Sequence, residues 1–351
     1  MQLDDLLRRY GSLVDEAIRR ILPTETDEIG MREILGFKDG ALDREAIQKS
    51  FTGPAWDLIE RGGKRWRAIM MILAYEALGG DYRDVIDFSV IPELIHNGTL
   101  AVDDVEDRGE YRRGKPCIHR IYGEDVAINM GNTLYYYPLL TVLRRHELPH
   151  LKELKLHRTY IEEMLRLSIG QSTDIGWHRH QHRDLTEEHY ITMVKMKTGS
   201  LVRLATRYAC ILAGADDIED EIIRYSDAIS TAFQIQDDVL NLIGDPKKYG
   251  KERGGDIKEG KITLLVIHAL RNLKREDADR LSEILSKHTT DQSLLDEAIE
   301  LIKKSGAIEY GTKFSLNLLD EAISVLESVL RPSEARESLI ELSRFLVLRE
   351  Y

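Results

Sequence analysis

The stretch Leu94-Ile-His-Asn-Gly-Thr-Leu-Ala-Val-Asp-Asp-Val-Glu-Asp107 decides the fold class and points to the chemistry. It has the pattern of a helix, on which residues four apart share a face, so Asp103 and Asp107 project together with Asp104 beside them. Two like charges at this spacing cost an isolated helix roughly 0.2–0.5 kcal/mol, which favours a compensating cation. Aligned carboxylates are suitable ligands for Mg²⁺ with phosphate and water, whereas the alternative is a solvated acidic face.

Basic residues follow this motif and also occur earlier in the chain. Arg112 and Arg113 stand on a predicted loop next to the aspartates, and guanidinium groups match phosphate oxygens bidentately. Gly62-Gly63-Lys64-Arg65-Trp66-Arg67 begins an apolar helix, and a helix N-terminus with nearby cations forms an anion site. The alternative for this second group is a turn followed by solvated basic residues.

A second acidic turn, Phe233-Gln-Ile-Gln-Asp-Asp-Val-Leu-Asn241, repeats the arrangement. Asp237 and Asn241 are one helical turn apart with Asp238 adjacent, and an amide oxygen can replace one carboxylate near Mg²⁺. The glycine-rich stretch from Gly250 to Lys261 follows it and carries lysines near both of its ends, Lys251 and Lys261. Two acidic helices, each followed by a basic loop, indicate a site that holds polyphosphate through shared Mg²⁺.

The rest of the sequence predicts a single all-α domain over residues 1–351, with a motif-bearing core of about 55–270. Apolar residues recur at helical spacing and strand signals are almost absent. We expect ten or more helices joined by short loops, and the acidic segment from about Thr24 to Lys49 as a short arm or loop. Predicted breaks between helices fall at Thr52-Gly53-Pro54, Gly79-Gly80-Asp81, Arg113-Gly114-Lys115-Pro116, Gly214-Ala215-Asp216 and Asp245-Pro246.

The composition excludes several classes of protein. With 351 residues, a formal charge of −12, 42% hydrophobic and 31% charged residues, the chain is globular rather than disordered. Its acidic total argues against general nucleic-acid binding, and no run of about 18 apolar residues predicts a membrane span. The first twenty residues lack the features of a signal peptide, so we expect a cytoplasmic protein. Cys117 and Cys210 are expected to be inert core thiols.

Six motifs occur in order between roughly Gly62 and Leu264. They are GGKRWR, DDVED with RRGKP behind it, GQSTD at 170–174, KMKTG at 195–199, FQIQDD at 233–238 and GKERGGDIKEGK at 250–261. In this order they resemble the trans-isoprenyl diphosphate synthase (polyprenyl synthetase) family. The resemblance implies an antiparallel helical bundle of the isoprenoid synthase type. It also implies a homodimer, with the two aspartate helices facing each other across a deep apolar cavity.

The resemblance also implies a residue-by-residue site. Asp103, Asp107 and Asp237 resemble the ligands of Mg²⁺, with three ions per active site, and Asp104 and Asp238 support them. Gln171 and Asp174 are expected to orient the site. The residues that resemble the family's allylic diphosphate site are Arg112, Lys197, Thr198, Gln234, Lys251 and Lys261. Those that resemble its isopentenyl diphosphate site are Lys64, Arg67, His96 and Arg113.

The implied reaction is a Mg²⁺-dependent condensation of isopentenyl diphosphate with an allylic diphosphate to a trans-polyprenyl diphosphate. Asn241 stands where many members carry a third aspartate, and Ala68 replaces a frequent proline. The sequence looks most like the geranylgeranyl diphosphate synthases of eukaryotic type. The alternatives are a farnesyl or longer-chain synthase, a non-catalytic regulatory subunit, and a class I terpene cyclase.

Two further stretches lead to expectations about product length and metal binding. Gly98 and Thr99, the fifth and fourth residues before Asp103, are small, so this wall is not expected to stop the chain at the farnesyl stage. The three tyrosines Tyr135, Tyr136 and Tyr137 are candidates for the cavity floor, with a core or interface position as the alternative. His178, His180 and His182 are expected on a solvated polar loop, because alternate positions do not share a helix face.

Overall fold

In the computed structural model, the structure describes residues 3–25, 32, 36, 41–144, 147–180, 184–244 and 253–348. These residues are almost entirely helical, and their only strands are β1 (Tyr111–Arg112) and β2 (Lys115–Pro116). The prediction of an all-α fold with ten or more helices is confirmed. The chain divides into two compact units, Met1–His157 with Tyr208–Ala215 and Arg158–Arg207 with Asp216–Tyr351. The prediction of a single domain stays a prediction.

The first unit contains the N-terminal helices and both strands. Its helical elements are α1 (Leu3–Ile21), α2 (Arg44–Ile47), a π-helical turn (Gln48–Thr52), α3 (Gly53–Glu60), α4 (Trp66–Ala77), α5 (Tyr82–Glu106), α6 (Ile118–Tyr122), α7 (Glu124–Tyr136), a 3₁₀ turn (Tyr137–Leu139) and α8 (Leu140–Leu143).

Helix α5 carries the first acidic motif and is the central helix of this unit. Asp81 caps its start by accepting the N–H of Arg83 at 3.0 Å. It contacts α1, α4 and α7. A Cβ on Gly98 would lie 2.7 Å from the carbonyl oxygen of Gly131 on α7, a distance that only glycine permits. The two helices therefore cross in backbone contact just before the acidic motif.

Helix α1 packs through one face of an amphipathic helix. Its buried residues recur at spacings of three and four, and they are Leu6, Tyr10, Val14, Ala17 and Ile18. The helix contacts α4 and α5. The N-terminal segment is therefore part of the core of the first unit.

The second unit is built around two long helices, α12 and α17, which contact each other along much of their length. The remaining elements of the chain, with α9 and α11 shared between the units, are α9 (His150–His180), α10 (Glu187–Lys197), α11 (Gly199–Ala213), a 3₁₀ turn (Asp216–Ile218), α12 (Glu219–Ile243), α13 (Gly255–Lys258), α14 (Leu264–Asn272), α15 (Arg275–Ser286), α16 (Gln292–Lys304), α17 (Ala307–Val329) and α18 (Glu334–Leu348).

The core of the second unit is aliphatic, and it packs against the apolar face of α12, the helix that carries the second acidic motif. Val239 and Leu242 of α12 belong to a cluster of buried residues that also contains Leu281, Ile284 and Ile299. Burial of a side chain of this kind stabilises a fold by about 1.5–3 kcal/mol. Since the apolar face of α12 is held in this cluster, its polar residues have a fixed position.

The structure differs from three expectations about local structure. The break at Thr52-Gly53-Pro54 is wrong, because a π-helical turn joins α2 to α3 and Pro54 occupies the first turn of α3, where a missing N–H costs nothing. The arm at residues 24–49 is helical from Arg44 onward. The predicted polar loop is wrong for His178 and His180, which belong to α9, while His182 lies outside the described residues.

The other predicted breaks are confirmed where they can be seen. Helix α4 ends at Ala77 before the two glycines, and α11 ends at Ala213 before Gly214. Asp245-Pro246 lies outside the described residues. Within the described part of the chain, none of the helices is both long and apolar enough to cross a membrane.

Candidate functional site

The first acidic motif stands at the C-terminal end of α5. Asp107 caps this end, and its N–H donates to the carbonyl oxygen of Asp103 at 2.8 Å. The side chain of Asp103 is 23% exposed, whereas that of Asp104 is 2% exposed. Asp103 is therefore accessible to an external ligand, and Asp104 points into the protein.

The buried carboxylate of Asp104 holds Arg112 beside the motif. Arg112 Nε donates to Asp104 Oδ1 at 2.9 Å, and Arg112 Nη2 lies 3.8 Å from Asp103 Oδ2. Burial, followed by the charge of Asp104, raises the pKa of the Cys117 thiol to about 12. Cys117 and Cys210 are buried and form no disulfide, as the sequence predicted, and Asp104 contacts Arg112.

The predicted loop that carries both arginines is a hairpin. Strands β1 and β2 are antiparallel, with Arg112 opposite Lys115. Arg113 and Gly114 form the turn at φ values of +53° and +74°, the left-handed pair typical of two-residue hairpin loops. Arg113 Nη1 donates to Asn97 Oδ1 at 3.2 Å and to the carbonyl oxygen of Leu58 at 3.1 Å. The two neighbouring arginines therefore contact different residues: Arg112 binds Asp104 of the acidic motif, and Arg113 binds Asn97 and the carbonyl of Leu58.

Three cationic or potentially cationic groups of the predicted isopentenyl set come together here. Burial lowers the pKa of Arg67 to about 10 and that of Arg113 to about 10. The charge of Glu93 raises both pKa values, whereas Arg113 lowers that of Arg67 and Arg65 lowers that of Arg113. Burial, then the charges of Arg67 and Arg113, holds the pKa of His96 well below its usual 6.5. Within the part of the chain that the structure describes, Arg67 Nε has no acceptor. Lys64, the fourth residue of the set, is exposed.

The N-terminus of α4 is not a free anion site. Glu93, which is 3% exposed, accepts the N–H groups of Arg67 and Ala68 at 3.2 and 3.3 Å. The expectation of a helix-terminus site at GGKRWR is wrong in this respect, because a buried carboxylate from α5 already caps these donors. The side chains of this segment, rather than its helix N–H groups, are the remaining candidates for anion binding.

In the second unit, Lys197 pairs with Asp174. Lys197 Nζ lies 2.6 Å from Asp174 Oδ2, and the side chains are 26% and 11% exposed. A Cβ on Gly170 would lie 2.4 Å from the backbone nitrogen of Lys197, so only glycine lets α9 approach the end of α10 this closely. The GQSTD and KMKTG motifs are therefore packed against each other and joined by an ion pair.

A chain of hydrogen bonds connects the end of α10 with α12. Thr198 Oγ1 donates to Gln234 Oε1 at 2.9 Å, and Gln234 Nε2 donates to Asp238 Oδ1 at 2.9 Å. Tyr190 donates its hydroxyl to Asp238 Oδ2 at 2.5 Å. Burial, then the charge of Asp256, raises the pKa of Asp238 well above its ordinary value. Asp238 is therefore a buried acceptor that joins α10 to α12, and its role in support of Asp237 stays a prediction.

Asn241 does not present its amide oxygen to a ligand. Its side chain is 4% exposed, and Oδ1 accepts the N–H of Asp256 at 3.2 Å. Its carbonyl oxygen accepts the N–H of Gly254 at 2.8 Å. The sequence left the role of Asn241 open, and in this structure its Oδ1 fixes the glycine-rich loop. In that loop Lys261 pairs with Glu259, and Lys251 lies outside the described residues.

The two small residues before the first acidic motif, Gly98 and Thr99, have different surroundings. Gly98 is buried in the α5–α7 crossing, so its size reflects helix packing rather than space for a substrate. Thr99 is half-buried and donates its hydroxyl to the carbonyl oxygen of His96 at 2.8 Å. The expectation that both residues line a wall is therefore wrong for Gly98.

The structure separates the three tyrosines. Tyr136 is 69% exposed, and Tyr137 is buried against Phe51 with ring centroids 5.6 Å apart. Tyr135 lies along α5, since its ring would be 3.2 Å from a Cβ on Gly98. Burial, then the charges of Glu106 and Asp103, raises its pKa. Tyr135 is therefore the one that extends along the face below the acidic motif.

The carboxylates fit a hard divalent cation by type. Among the described residues no group of three or more His, Cys, Asp or Glu side chains is arranged to hold a metal by itself. Mg²⁺ needs only one or two carboxylates, because water and substrate phosphates complete its coordination. Asp103 and Asp107 in the first unit, and Asp237 in the second, are therefore suitable ligands.

Sequence reasoning missed several residues that hold the site together, chiefly Glu93, Asn97, Tyr190 and Asp256. Glu93 and Asn97 had a signal, because both are polar in a mostly apolar stretch of helix, which indicates buried polar groups with partners. Tyr190 had none, since an isolated tyrosine on a helix is an ordinary core residue.

Comparisons with known proteins agree with these observations. The polyprenyl synthetase family model matches residues 48–302. The chain is 34% identical over 352 residues to the short chain isoprenyl diphosphate synthase of Methanothermobacter thermautotrophicus, with 100% of both chains covered. It is 32% identical over 352 residues to the geranylgeranyl diphosphate synthase of Methanosarcina mazei, covering 100% of this chain and 99% of that one. A solved geranylgeranyl pyrophosphate synthetase from Pyrococcus horikoshii superposes with a TM-score of 0.85, at 32% identity and 99% coverage of both chains.

Proposed function

The chain belongs to the polyprenyl synthetase family and is a prenyltransferase, and from this premise we propose that it condenses isopentenyl diphosphate with an allylic diphosphate to give mainly geranylgeranyl diphosphate. The predicted fold, all-α and of the isoprenoid synthase type, is confirmed by the likeness to a solved family member. The reaction class, trans-prenyl diphosphate synthesis, follows from the family. The product length and the residue assignments are the proposal.

One observation carries the residue assignment: the cluster of the buried Arg67, the half-buried Arg113 and the neutral, half-buried His96 beside the first acidic motif. The charge of Glu93 offsets part of the positive charge of Arg67 and Arg113, but Arg113 lowers the pKa of Arg67, and Arg67 Nε has no acceptor among the described residues, which favours an anionic ligand. Arginine forks match diphosphate oxygens. We assign the isopentenyl diphosphate to this cluster, with Lys64 at its exposed edge.

The allylic diphosphate is assigned to the remaining cations. Arg112 is held beside Asp103 by Asp104, and Lys197 is held by Asp174. Each of these cations is positioned by a carboxylate, so binding a diphosphate requires no search for the correct rotamer. Thr198, Gln234, Lys251 and Lys261 complete the proposed set.

The family uses a divalent metal, and we propose Mg²⁺, with Asp103, Asp107 and Asp237 as the residues that would bind it. When bound, Mg²⁺ supplies charge that stabilises the departing diphosphate. Arg112 and Lys197 stabilise the same charge from fixed positions. The allylic C–O bond breaks, the isopentenyl double bond forms the new C–C bond, and the proton lost from isopentenyl diphosphate goes to the departing diphosphate. No nucleophilic side chain is required.

The product length is proposed to depend on Tyr135. This side chain extends along the α5 face below Asp103, and its ring contacts the helix crossing at Gly98. A rigid interior cannot absorb a longer tail without cost. Tyr135 is therefore the member of the three tyrosines that we assign to the cavity floor.

A homodimer, which is typical of the family, is proposed to form through α9. One face of this helix carries exposed apolar side chains at spacings of three, four and seven, which are Leu151, Leu154, Ile161, Leu165 and Ile169. Apolar patches of this kind mark protein interfaces. Sedimentation equilibrium should show a dimer for the wild type and a monomer for Leu165→Glu, with Leu316→Glu on α17 as the control. A monomeric wild type would contradict this proposal.

The reaction is tested by measuring turnover of farnesyl diphosphate with and without isopentenyl diphosphate. The proposed enzyme consumes farnesyl diphosphate only when isopentenyl diphosphate is present, and it releases a longer diphosphate. A terpene cyclase would consume farnesyl diphosphate alone, and a non-catalytic subunit would consume neither. The cytoplasmic location predicted from the sequence stays a prediction.

A further inference from the structure

The hairpin that carries Arg112 and Arg113 is too small to be stable by itself. Each strand has two residues, and an isolated hairpin even of ordinary length is marginal in water. Arg113 at φ +53° adds strain, because a residue with a Cβ pays about 1–2 kcal/mol in the left-handed region. The position of both arginines therefore depends on contacts from outside the hairpin.

Arg61 makes such contacts with both strands. Its Nη1 donates to the carbonyl oxygen of Arg112 at 3.3 Å and to that of Pro116 at 2.8 Å. Its side chain has 0% exposed surface. Arg61 ends α3, so the hairpin backbone is tied to a helix of the same unit.

Asp57 fixes the orientation of this guanidinium. Arg61 Nε and Nη2 donate to Asp57 Oδ1 and Oδ2 at 3.2 and 3.0 Å, a bidentate pair one helical turn apart. These hydrogen bonds hold the pKa of Asp57 below its ordinary value. Tyr122 donates its hydroxyl to the same carboxylate at 3.3 Å, and Lys115 Nζ lies 3.5 Å away. The remaining guanidinium nitrogen is thereby directed at the hairpin.

We propose that Arg61 is a positioning residue for diphosphate binding in the first unit. It fixes the backbone from which Arg112 and Arg113 extend. It directly precedes the GGKRWR motif at Gly62 and belongs to none of the six motifs. The inference rests on the proposed function, which assigns diphosphates to those two arginines. A lysine at this position would keep one donor to the hairpin but would lose the bidentate contact with Asp57.

The experiment compares Arg61→Met and Arg61→Lys with the wild-type enzyme. It measures the Kd of isopentenyl diphosphate alone by calorimetry, and KM and kcat at saturating allylic substrate. Misplacement of binding groups weakens binding steeply, so Arg61→Met should raise Kd and KM for isopentenyl diphosphate about tenfold. Its kcat should change less than about threefold, because Asp104 still holds the side chain of Arg112. Arg61→Lys should recover part of that loss. General destabilisation would instead lower the active fraction, and hence the apparent kcat, and would leave the KM and Kd of isopentenyl diphosphate unchanged.

Tyr122→Phe is the matched control. It removes a hydroxyl from Asp57 but leaves both bonds from Arg61 to the hairpin, so Kd and KM should stay at wild-type values. If Arg61→Met does not fold, Asp57→Asn takes its place, since it keeps the carbonyl bonds while it weakens the charge that orients them. That variant should raise the same two constants about threefold, and unchanged constants would overturn the inference.

Arg113→Ala separates the inference from the function on which it rests. A normal isopentenyl diphosphate affinity in Arg113→Ala contradicts the proposed function and the inference with it. A weakened Arg113→Ala beside a folded Arg61→Met that binds normally contradicts the inference alone. Weakened binding in both variants supports it.

Discussion

Asn241 Oδ1 accepts a hydrogen bond from the backbone N–H of Asp256 at 3.2 Å, and this contact ties the glycine-rich loop to the second acidic helix. The amide therefore acts on the loop backbone. An aspartate oxygen can accept the same bond, whereas an alanine cannot. The contact holds the start of α13 against α12.

Asn241→Asp should therefore remain active, with kcat within about threefold of the wild type. Asn241→Ala should lose about tenfold or more in kcat/KM for the allylic substrate, because loss of a buried hydrogen bond costs about 1–3 kcal/mol. Steady-state kinetics of both variants checks this. Complete inactivation of Asn241→Asp would show that the amide N–H groups have a necessary contact of their own.

The two proposed diphosphate sites should separate in kinetics. Arg113→Ala should raise the KM for isopentenyl diphosphate more than that for the allylic substrate, and Lys197→Ala should do the reverse. Loss of a charge-assisted hydrogen bond is worth about 1.5–3 kcal/mol, so shifts of roughly ten- to a hundredfold are expected.

Lys195→Ala is the control for Lys197→Ala, since it removes a lysine of the same helix whose Nζ lies 3.7 Å from Asp227. Its KM values should stay within about twofold of the wild type, because Asp227 keeps its bond to Arg203. Equal effects of Arg113→Ala and Lys197→Ala on both substrates would mean that the two sites are wrongly assigned.

Product length should respond to Tyr135 and Thr99. Tyr135→Ala should lengthen the main product, because it removes the ring that we assign to the cavity floor. Thr99→Phe should shorten it toward farnesyl diphosphate by overpacking the same helix face. Chromatography of dephosphorylated products measures both changes. Tyr136→Ala should leave the profile unchanged, because that side chain is 69% exposed. An unaltered profile in Tyr135→Ala and Thr99→Phe would mean that the tail does not follow this face of α5.

Stability should depend on pH through His96. Its lowered pKa keeps the folded form neutral, whereas the unfolded chain binds a proton below about pH 6.5. The unfolded state then holds more protons, so the free energy of unfolding falls as the pH falls from about 7.5 to 5.5, by up to ~1.4 kcal/mol per pH unit. His96→Gln should reduce this slope in urea unfolding, and His150→Gln, at a fully exposed position, should not. An identical slope in His96→Gln and wild type would contradict the lowered pKa.

The sequence predicts much of this molecule, and the reasons for the failures are physical. The spacing of Asp103 and Asp107 fixes which side of α5 carries the motif, because helical periodicity is local. The partners of Asn241 and Gly98 are not local. Whether an amide faces a metal or a backbone N–H, and whether a glycine lines a wall or a helix crossing, depends on segments that only the folded chain brings together. Arg61 has no sequence signal for the same reason, since its acceptors are backbone carbonyls 51 and 55 residues away.

The most direct test of the account is the rate of isopentenyl transfer in the metal-stripped enzyme as Mg²⁺ is added, measured for wild type, Asp103→Ala and Asp237→Ala. The account predicts no turnover without Mg²⁺ and a loss of at least about a hundredfold in each variant at saturating Mg²⁺, which corresponds to ~2.7 kcal/mol of transition-state stabilisation. Turnover by the metal-stripped wild type, or near-normal rates in both variants, would contradict it.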